Sequence, residues 1–155
     1  MTELNEKDIR VFVSAVERYF QQITATAPTL RSAWLSTGDN ALPVHEFTGL
    51  IGVSGDFDGA IYFSTGQATL EHLLVSMREP LRDEANLLDA VGEIANTLAG
   101  NAREYFGERL VISVPMSMRG PSAVLQARAC THPYVIGVQW QRHEAVLVVN
   151  LGRRN

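Results

Sequence analysis

The segment Asp89-Ala-Val-Gly-Glu-Ile-Ala-Asn96 lies within a helical pattern and spaces three polar residues at intervals of four and three positions. At about 100° per residue, Asp89, Glu93 and Asn96 fall in one row, on the side of the helix opposite its apolar stripe. That stripe contains Leu87, Val91, Ile94, Leu98, Ala102 and Tyr105. The pattern predicts a long amphipathic helix from about residue 83 to residue 106, ended by Gly107.

The simplest interpretation of the polar row is an ordinary solvent-exposed helix face, since most exposed acids have no specific function. Three residues argue against it. Asn96 has low helix propensity, and Gly92 and Gly100 each cost about 1 kcal/mol relative to alanine. Because glycines remove side-chain bulk, they predict that another backbone or a pocket rim approaches this face. We therefore interpret the row as a docking surface.

The rest of the chain contains one more long helical pattern and several strand-like patterns. The first helix is expected at about residues 5–25, with Asn5 at its start. Residues 28–43 are interpreted as a connector, and a β-hairpin is expected around the turn-rich segment GDFDG, residues 55–59. A short helix at 68–77 precedes the long helix, and four strand-like segments follow it: 110–118, 122–130, 134–142 and 144–150.

This order of elements predicts the fold class. Consecutive strands with tight connections favour antiparallel pairing, and two long amphipathic helices need a common apolar surface to cover. We predict a single α+β domain over residues 1–155. It should have a largely antiparallel sheet of about six strands, with the two long helices packed on one face.

Composition and charge restrict the class of protein further. The chain has 155 residues, 46% of them hydrophobic, which suits one globular domain. A formal net charge of -4 argues against nucleic acid and against an anionic membrane surface as partners. The sequence shows neither a signal-peptide pattern nor a membrane-spanning apolar run, so we expect a soluble cytoplasmic protein. Cys130 is the only cysteine and is interpreted as a small buried apolar residue.

Other candidate sites receive little support. His45, His72, His132 and His143 show no metal-ligand spacing, and we predict no metal site. Asp56-Phe-Asp-Gly59 is too short for a calcium loop and fits a hairpin turn. Ser113, Ser117 and Cys130 have neither a nucleophile-elbow context nor a nearby histidine in the sequence. Trp140 belongs to a strand-like segment with one unusually apolar face, for which burial in the core under the helices is the first expectation and a subunit interface the second.

The polar row also matches a known motif. Asp or Ser, three residues, Glu, two residues and Asn, with a proline about twenty residues later, resembles the active-site motif of the CheC/CheX/FliY family of bacterial chemotaxis phosphatases. Here the motif residues are Asp89, Glu93 and Asn96, and the proline is Pro115 or, at a longer spacing, Pro121. The similarity extends from about residue 47 to residue 120. It includes the segments GEIANTLAGNA, residues 92–102, and IGVSGDFDGAIYFS, residues 51–64.

The resemblance implies a CheC-like fold and an activity. The first helix carries no Glu-x-x-Asn, and a single motif is typical of the CheX-like branch, which implies a homodimer. The implied substrate is the phosphoaspartate of a CheY-type receiver domain, in chemotaxis or a related two-component pathway. The receiver brings its own Mg²⁺, acids and lysine, so no cofactor belonging to this chain is implied.

The resemblance also assigns roles. Glu93 would anchor the receiver and Asn96 would orient the attacking water, because an amide can donate and accept hydrogen bonds without competing as a nucleophile. Asp89, Gly92, Gly100 and Pro115 would support or contact the partner. The alternative is a non-catalytic CheX-like module that binds a receiver or another signalling protein through the same helix.

Overall fold

The computed structural model describes residues 2–35, 42–122 and 132–155. Within them are three helices: α1 (Glu6–Thr24), α2 (Gln67–Ser76) and α3 (Glu84–Phe106). The strands are β1 (Thr2–Glu3), β2 (Thr29–Leu35), β3 (Phe47–Gly55), β4 (Phe57–Thr65), β5 (Leu110–Ile112), β6 (Met116–Arg119), β7 (Tyr134–Trp140) and β8 (His143–Arg153). None of the helices in these ranges is both long and apolar enough to cross a membrane.

The strands form one antiparallel sheet in the order β2-β7-β8-β4-β3-β5. Strand β6 continues the same edge as β5 and also pairs with β3, and β1 pairs with the end of β8. The predicted α+β class, the antiparallel sheet and the two long helices are confirmed. The hairpin is confirmed as well, because β3 and β4 turn tightly at Asp56.

The helices and the sheet bury one main apolar cluster between them. Its fully buried members include Phe12, Phe20, Ile51, Ile61, Leu70, Leu73, Ile94, Leu98 and Trp140. A smaller cluster of Leu42, Leu50, Tyr62, Val135, Val146 and Val148 occupies the other face, as expected from the alternation of side chains along strands. Trp140 therefore lies in the core under the helices, as predicted.

Three expectations about the elements need correction or lie outside the described residues. The interpretation of residues 28–43 wholly as a connector is wrong, since β2 occupies part of it and pairs with β7. The segment 110–118 is two strands instead of one, because Pro115 lacks the N–H that a ladder needs. Apart from Ser122, the predicted strand at 122–130 lies outside the described residues, as does Cys130.

The predicted core stripe of α3 is correct except at its end. Tyr105 is 56% exposed, whereas its neighbour Phe106 packs against Phe12 and Phe57 with ring centroids 5.9 and 5.2 Å apart. The stripe therefore continues from Ala102 by a step of four residues, not of three. Residues three and four positions after Ala102 both lie on the same side of the helix as Ala102. The aromatic contacts show that the second of them, Phe106, is the one that packs in the core.

The start of α1 is attached to the end of the sheet by a buried carboxylate. Asn5 accepts a hydrogen bond from the backbone N–H of Asp8, and Asp8 accepts one from the N–H of Asn5, which completes a capping box. Asp8 is only 1% exposed and also accepts two hydrogen bonds from the Arg153 guanidinium, at 2.7 and 3.0 Å. This bidentate pair links α1 to β8.

We expect Arg153→Ala to lower the free energy of unfolding by about 3 kcal/mol, because it leaves the buried carboxylate of Asp8 without its cation. Chemical denaturation followed by circular dichroism measures the change. Arg154→Ala is the matched control, since the contact of Arg154 with Asp58 is long, 3.8 Å, and exposed. Its loss should cost less than about 1 kcal/mol. Equal costs for the two variants would contradict the assigned role of the buried pair.

Candidate active site

Asp89, Glu93 and Asn96 occupy successive turns of α3. Asp89 and Glu93 are exposed and Asn96 is partly buried. From Asp89 to Asn96 the helix rises about 10 Å, and the three positions lie within about 60° of each other around its axis. Among the described residues, none of the three side chains forms a hydrogen bond or an ion pair. Two carboxylates and an amide are thus available to a partner along one helix face.

The start of α3 is fixed by groups outside the motif. Asp83 caps the helix by accepting a hydrogen bond from the N–H of Asn86 at 3.0 Å, and this bond lowers the pKa of Asp83. Arg119 on β6 bridges Glu46 and Glu84 at 2.7 and 3.2 Å, and hydrogen bonds to these carboxylates raise the pKa of Arg119. The first turn of α3 is therefore held beside the edge strand β6.

Gly92 faces the chain's own β5–β6 segment. A Cβ at Gly92 would lie 2.5 Å from Ser117 Oγ and 3.6 Å from Pro115 Cβ. The prediction that this glycine opens the helix to another molecule needs correction, because the side chains that approach it, those of Ser117 and Pro115, belong to the same chain. Gly100 is different, since a Cβ there would meet no described atom within 4 Å. Gly100 leaves the helix surface open two turns beyond Gly92.

Pro115 is the motif proline candidate that lies near the polar row. Asn96 is one turn after Gly92, the residue against which Pro115 packs. Pro121 follows Arg119, which pairs with Glu84 in the first turn of α3. That turn is about 18 Å along the helix axis from Asn96. The fold therefore brings Pro115, and not Pro121, beside the middle of the motif helix.

Ser113 holds the segment that carries Pro115. The N–H of Gly52 donates to Ser113 Oγ at 2.9 Å, the N–H of Ser113 donates to the Gly52 carbonyl at 2.9 Å, and the Ser113 hydroxyl donates to the carbonyl of Val114. These bonds replace the ladder that the proline interrupts between β5 and β6. Sequence reasoning excluded Ser113 as a nucleophile but missed this positioning role. The sequence feature that could have indicated this role is a serine two residues before a proline inside a strand-like segment.

On its other side, the row borders a groove that α1, α2 and α3 form together, here called the α1–α2–α3 groove. Asp89 and Glu93 line one wall, facing Tyr19, Ile23, Leu74 and Met77. The groove has a volume of about 390 Å³. Burial, followed by the nearby negative charge of Glu93, raises the pKa of Tyr19 to about 12. Asp89 and Glu93 thus face this groove, whereas Asn96 lies nearer to the Pro115 segment.

The histidines are not all isolated in space. His72 Nδ1 and His143 Nε2 lie 3.0 Å apart beside Trp140, and burial, His72 and Arg142 lower the pKa of His143. Local sequence patterns could not reveal this pair, because 71 residues separate its members. In the described part of the chain no group of three or more His, Cys, Asp or Glu side chains is arranged to hold a metal ion.

The antiparallel sheet with its covering helices is a CheC-like fold. Three solved structures illustrate the class. A chemotactic CheC-like protein from Shewanella oneidensis is 19% identical, with a TM-score of 0.80, and the match covers 96% of this chain and 99% of that one. The chemotaxis protein CheX from Vibrio vulnificus is 16% identical, with a TM-score of 0.78 and coverage of 94% and 99%. A chain of the CheX–CheY complex with beryllofluoride and magnesium from Borrelia burgdorferi is 12% identical, with a TM-score of 0.74 and coverage of 95% and 97%.

These likenesses establish the fold, and the family follows from the sequence. The family model described as Chemotaxis phosphatase CheX matches residues 47–139, which is more than half of the chain. No curated protein sequence matches the chain. The protein therefore belongs to the CheX family of chemotaxis phosphatases.

Proposed function

We propose that the protein hydrolyses the phosphoaspartate of a CheY-type receiver domain. The observation that carries the proposal is the row of Asp89, Glu93 and Asn96, whose side chains make no hydrogen bond or ion pair with another described residue, with Pro115 packed one turn away at Gly92. The spacing of the row resembles the motif of the family. Family membership supports a phosphatase, and the Borrelia burgdorferi structure, in which CheX is in complex with CheY, supports a receiver as the partner.

The reaction needs little chemistry from this chain. Water attacks phosphorus, the bond between phosphorus and the aspartyl oxygen breaks, and the products are inorganic phosphate and a free carboxylate on the receiver. An acyl phosphate is already reactive. Its hydrolysis therefore needs only a water molecule held in line and neutralisation of the negative charge on the phosphoryl oxygens. The Mg²⁺ and the lysine of the receiver supply the neutralisation, and this chain contributes no cofactor.

Asn96 and Glu93 divide the remaining work. The amide of Asn96 accepts a hydrogen bond from the attacking water or donates one to a phosphoryl oxygen, which orients the water toward phosphorus. The carboxylate of Glu93, one turn earlier, pairs with the receiver's lysine and sets the register of the two proteins. The rigid helix between them keeps the two contacts at a constant spacing. A homodimer remains the prediction from the CheX resemblance.

The direct test mixes the purified protein with a phosphorylated CheY-type receiver from the source organism and follows the loss of phosphate. We expect substoichiometric protein to accelerate dephosphorylation with turnover. Binding of the beryllofluoride-activated receiver without acceleration would favour the alternative, a non-catalytic module that docks through the same helix. If the protein neither binds the receiver nor accelerates its dephosphorylation, both functions are contradicted.

A further inference from the structure

The α1–α2–α3 groove combines an apolar floor with carboxylates that pair with no described cation. Ile23, Leu74 and Met77 contribute apolar surface, and Glu79 and Asp89 lie on the rim. Neither of these two carboxylates forms an ion pair or a hydrogen bond with another described residue. Asp8, Asp56, Asp58, Glu46 and Glu84, in contrast, each lie within 4 Å of an arginine. No lysine or arginine lines the groove in the described structure, so its field is negative.

Tyr19 adds a polar group to the groove. The residue is 7% exposed and lines the groove, and its ring packs edge-on against Phe20. Its hydroxyl forms no hydrogen bond with any described residue. Because the residue lines the groove and its hydroxyl makes no such bond, the hydroxyl is available to a hydrogen-bonding ligand seated there.

The α2 side of the groove carries an exposed apolar side chain. Met77 is 39% exposed at the groove itself, and Val75 and Leu81, which flank it in the chain, are more than half exposed. Exposed apolar side chains that border a groove are typical of a protein interface. The groove is also continuous with the proposed receiver contact, because Asp89 and Glu93 line it.

We propose that this groove receives a second contact of the receiver, namely an apolar segment carrying a lysine or arginine, outside the phosphorylation site. The apolar side chains of that segment pack on Met77 and Ile23, its cation pairs with Asp89 and Glu79, and the Tyr19 hydroxyl completes the hydrogen bonds. This inference rests on the proposed function. It assigns Asp89 to partner selection, whereas Glu93 and Asn96 serve the reaction.

The test measures kcat and KM for dephosphorylation of the phosphorylated CheY-type receiver. Met77→Glu introduces a like charge beside the rim and should raise KM about tenfold with kcat nearly unchanged, as expected when only uniform binding is lost. Tyr19→Phe removes one hydroxyl and should raise KM about fivefold. Val111→Glu is the control, because strand alternation places Val111 on the opposite face of the sheet, where it is 46% exposed. It should behave like the wild type.

The outcomes separate the groove from the reaction. An unchanged KM in Met77→Glu and Tyr19→Phe, with Asn96→Ala inactive, overturns the groove and leaves the proposed function intact. If the wild type does not accelerate hydrolysis, the proposed function fails, and the same variants are compared by their Kd for the beryllofluoride-activated receiver. A rise in Kd for both variants but not for Val111→Glu supports the groove. An unchanged Kd, or no binding by the wild type, overturns it.

Discussion

Replacing Asn96 with alanine is expected to lower the rate of receiver dephosphorylation by about a hundredfold, because misplacement of a reacting group typically costs that much. The side chain has no hydrogen-bond partner among the described residues, so its removal leaves no buried group unpaired in the isolated protein. The free energy of unfolding should therefore stay close to that of the wild type. Binding of the beryllofluoride-activated receiver should be retained, since the amide serves the water.

Glu93→Ala should act differently from Asn96→Ala. Loss of one charge-assisted contact lowers affinity, and we expect kcat/KM to fall about tenfold, chiefly through KM. Single-turnover decay of phosphorylated receiver, measured at several concentrations of the protein, separates a change in kcat from a change in KM. A fall in kcat alone for Glu93→Ala would contradict its assignment as the anchor.

The same helix supplies matched controls. Asn101 and Glu104 lie on α3 but line a cleft against α1, where Glu104 is 3.9 Å from Arg18. Asn101→Ala and Glu104→Ala remove the same chemical groups away from the motif, since Asn101 lies on another side of α3 and Glu104 lies about 16 Å further along the helix than Glu93. Both should retain wild-type rates. If Asn101→Ala slows the reaction as much as Asn96→Ala, the polar row has no special role.

The sequence predicted the elements whose evidence is local. Helix α3 was recognised to within one residue because its apolar stripe is long, Asp83 suits an N-cap and Gly107 suits an end. The motif row was visible for the same reason, since helical periodicity alone places Asp89, Glu93 and Asn96 together.

Features that depend on distant partners were not predictable from local patterns. Strand β2 pairs with β7, about one hundred residues later, so a short segment next to Pro28 showed no pattern that identified it. The groove needs α1, α2 and α3 together, and Tyr19 on α1 gave no sign that it would face Glu93 on α3. The same limit explains Gly92, which periodicity could place beside the motif without revealing that Ser117 covers it.

Gly49 is a position where a single methyl group should strongly disturb the packing of α3 on the sheet. A Cβ at Gly49 would lie 2.2 Å from the carbonyl oxygen of Val91 and 3.0 Å from Ala95 Cβ, so α3 rests directly on the β3 backbone. Val91 and Ala95 precede Gly92 and Asn96 by one residue each. The absence of a side chain at Gly49 therefore sets the height at which the motif helix sits above the sheet.

Gly49→Ala should lower the free energy of unfolding by about 3 kcal/mol, because a backbone carbonyl of a packed helix cannot move aside as a side chain can. For a domain of this size that corresponds to a fall of about 6–12 °C in Tm. Gly52→Ala, on the same strand, is the control. Its Cβ would meet Ser113 Oγ at 3.4 Å, and we expect a change within about 1 kcal/mol.

The activity of Gly49→Ala connects the fold to the site. Any accommodation of the new methyl group must lift α3 or slide it along β3, and either movement shifts Asn96 relative to Pro115, which the Ser113 bonds hold to β3. We therefore expect kcat to fall in Gly49→Ala even at temperatures where the variant remains folded, whereas Gly52→Ala keeps both its stability and its rate. Full activity in a destabilised Gly49→Ala would show that the reaction tolerates movement of the helix, and the assignment of Asn96 to a position-sensitive task would then be wrong.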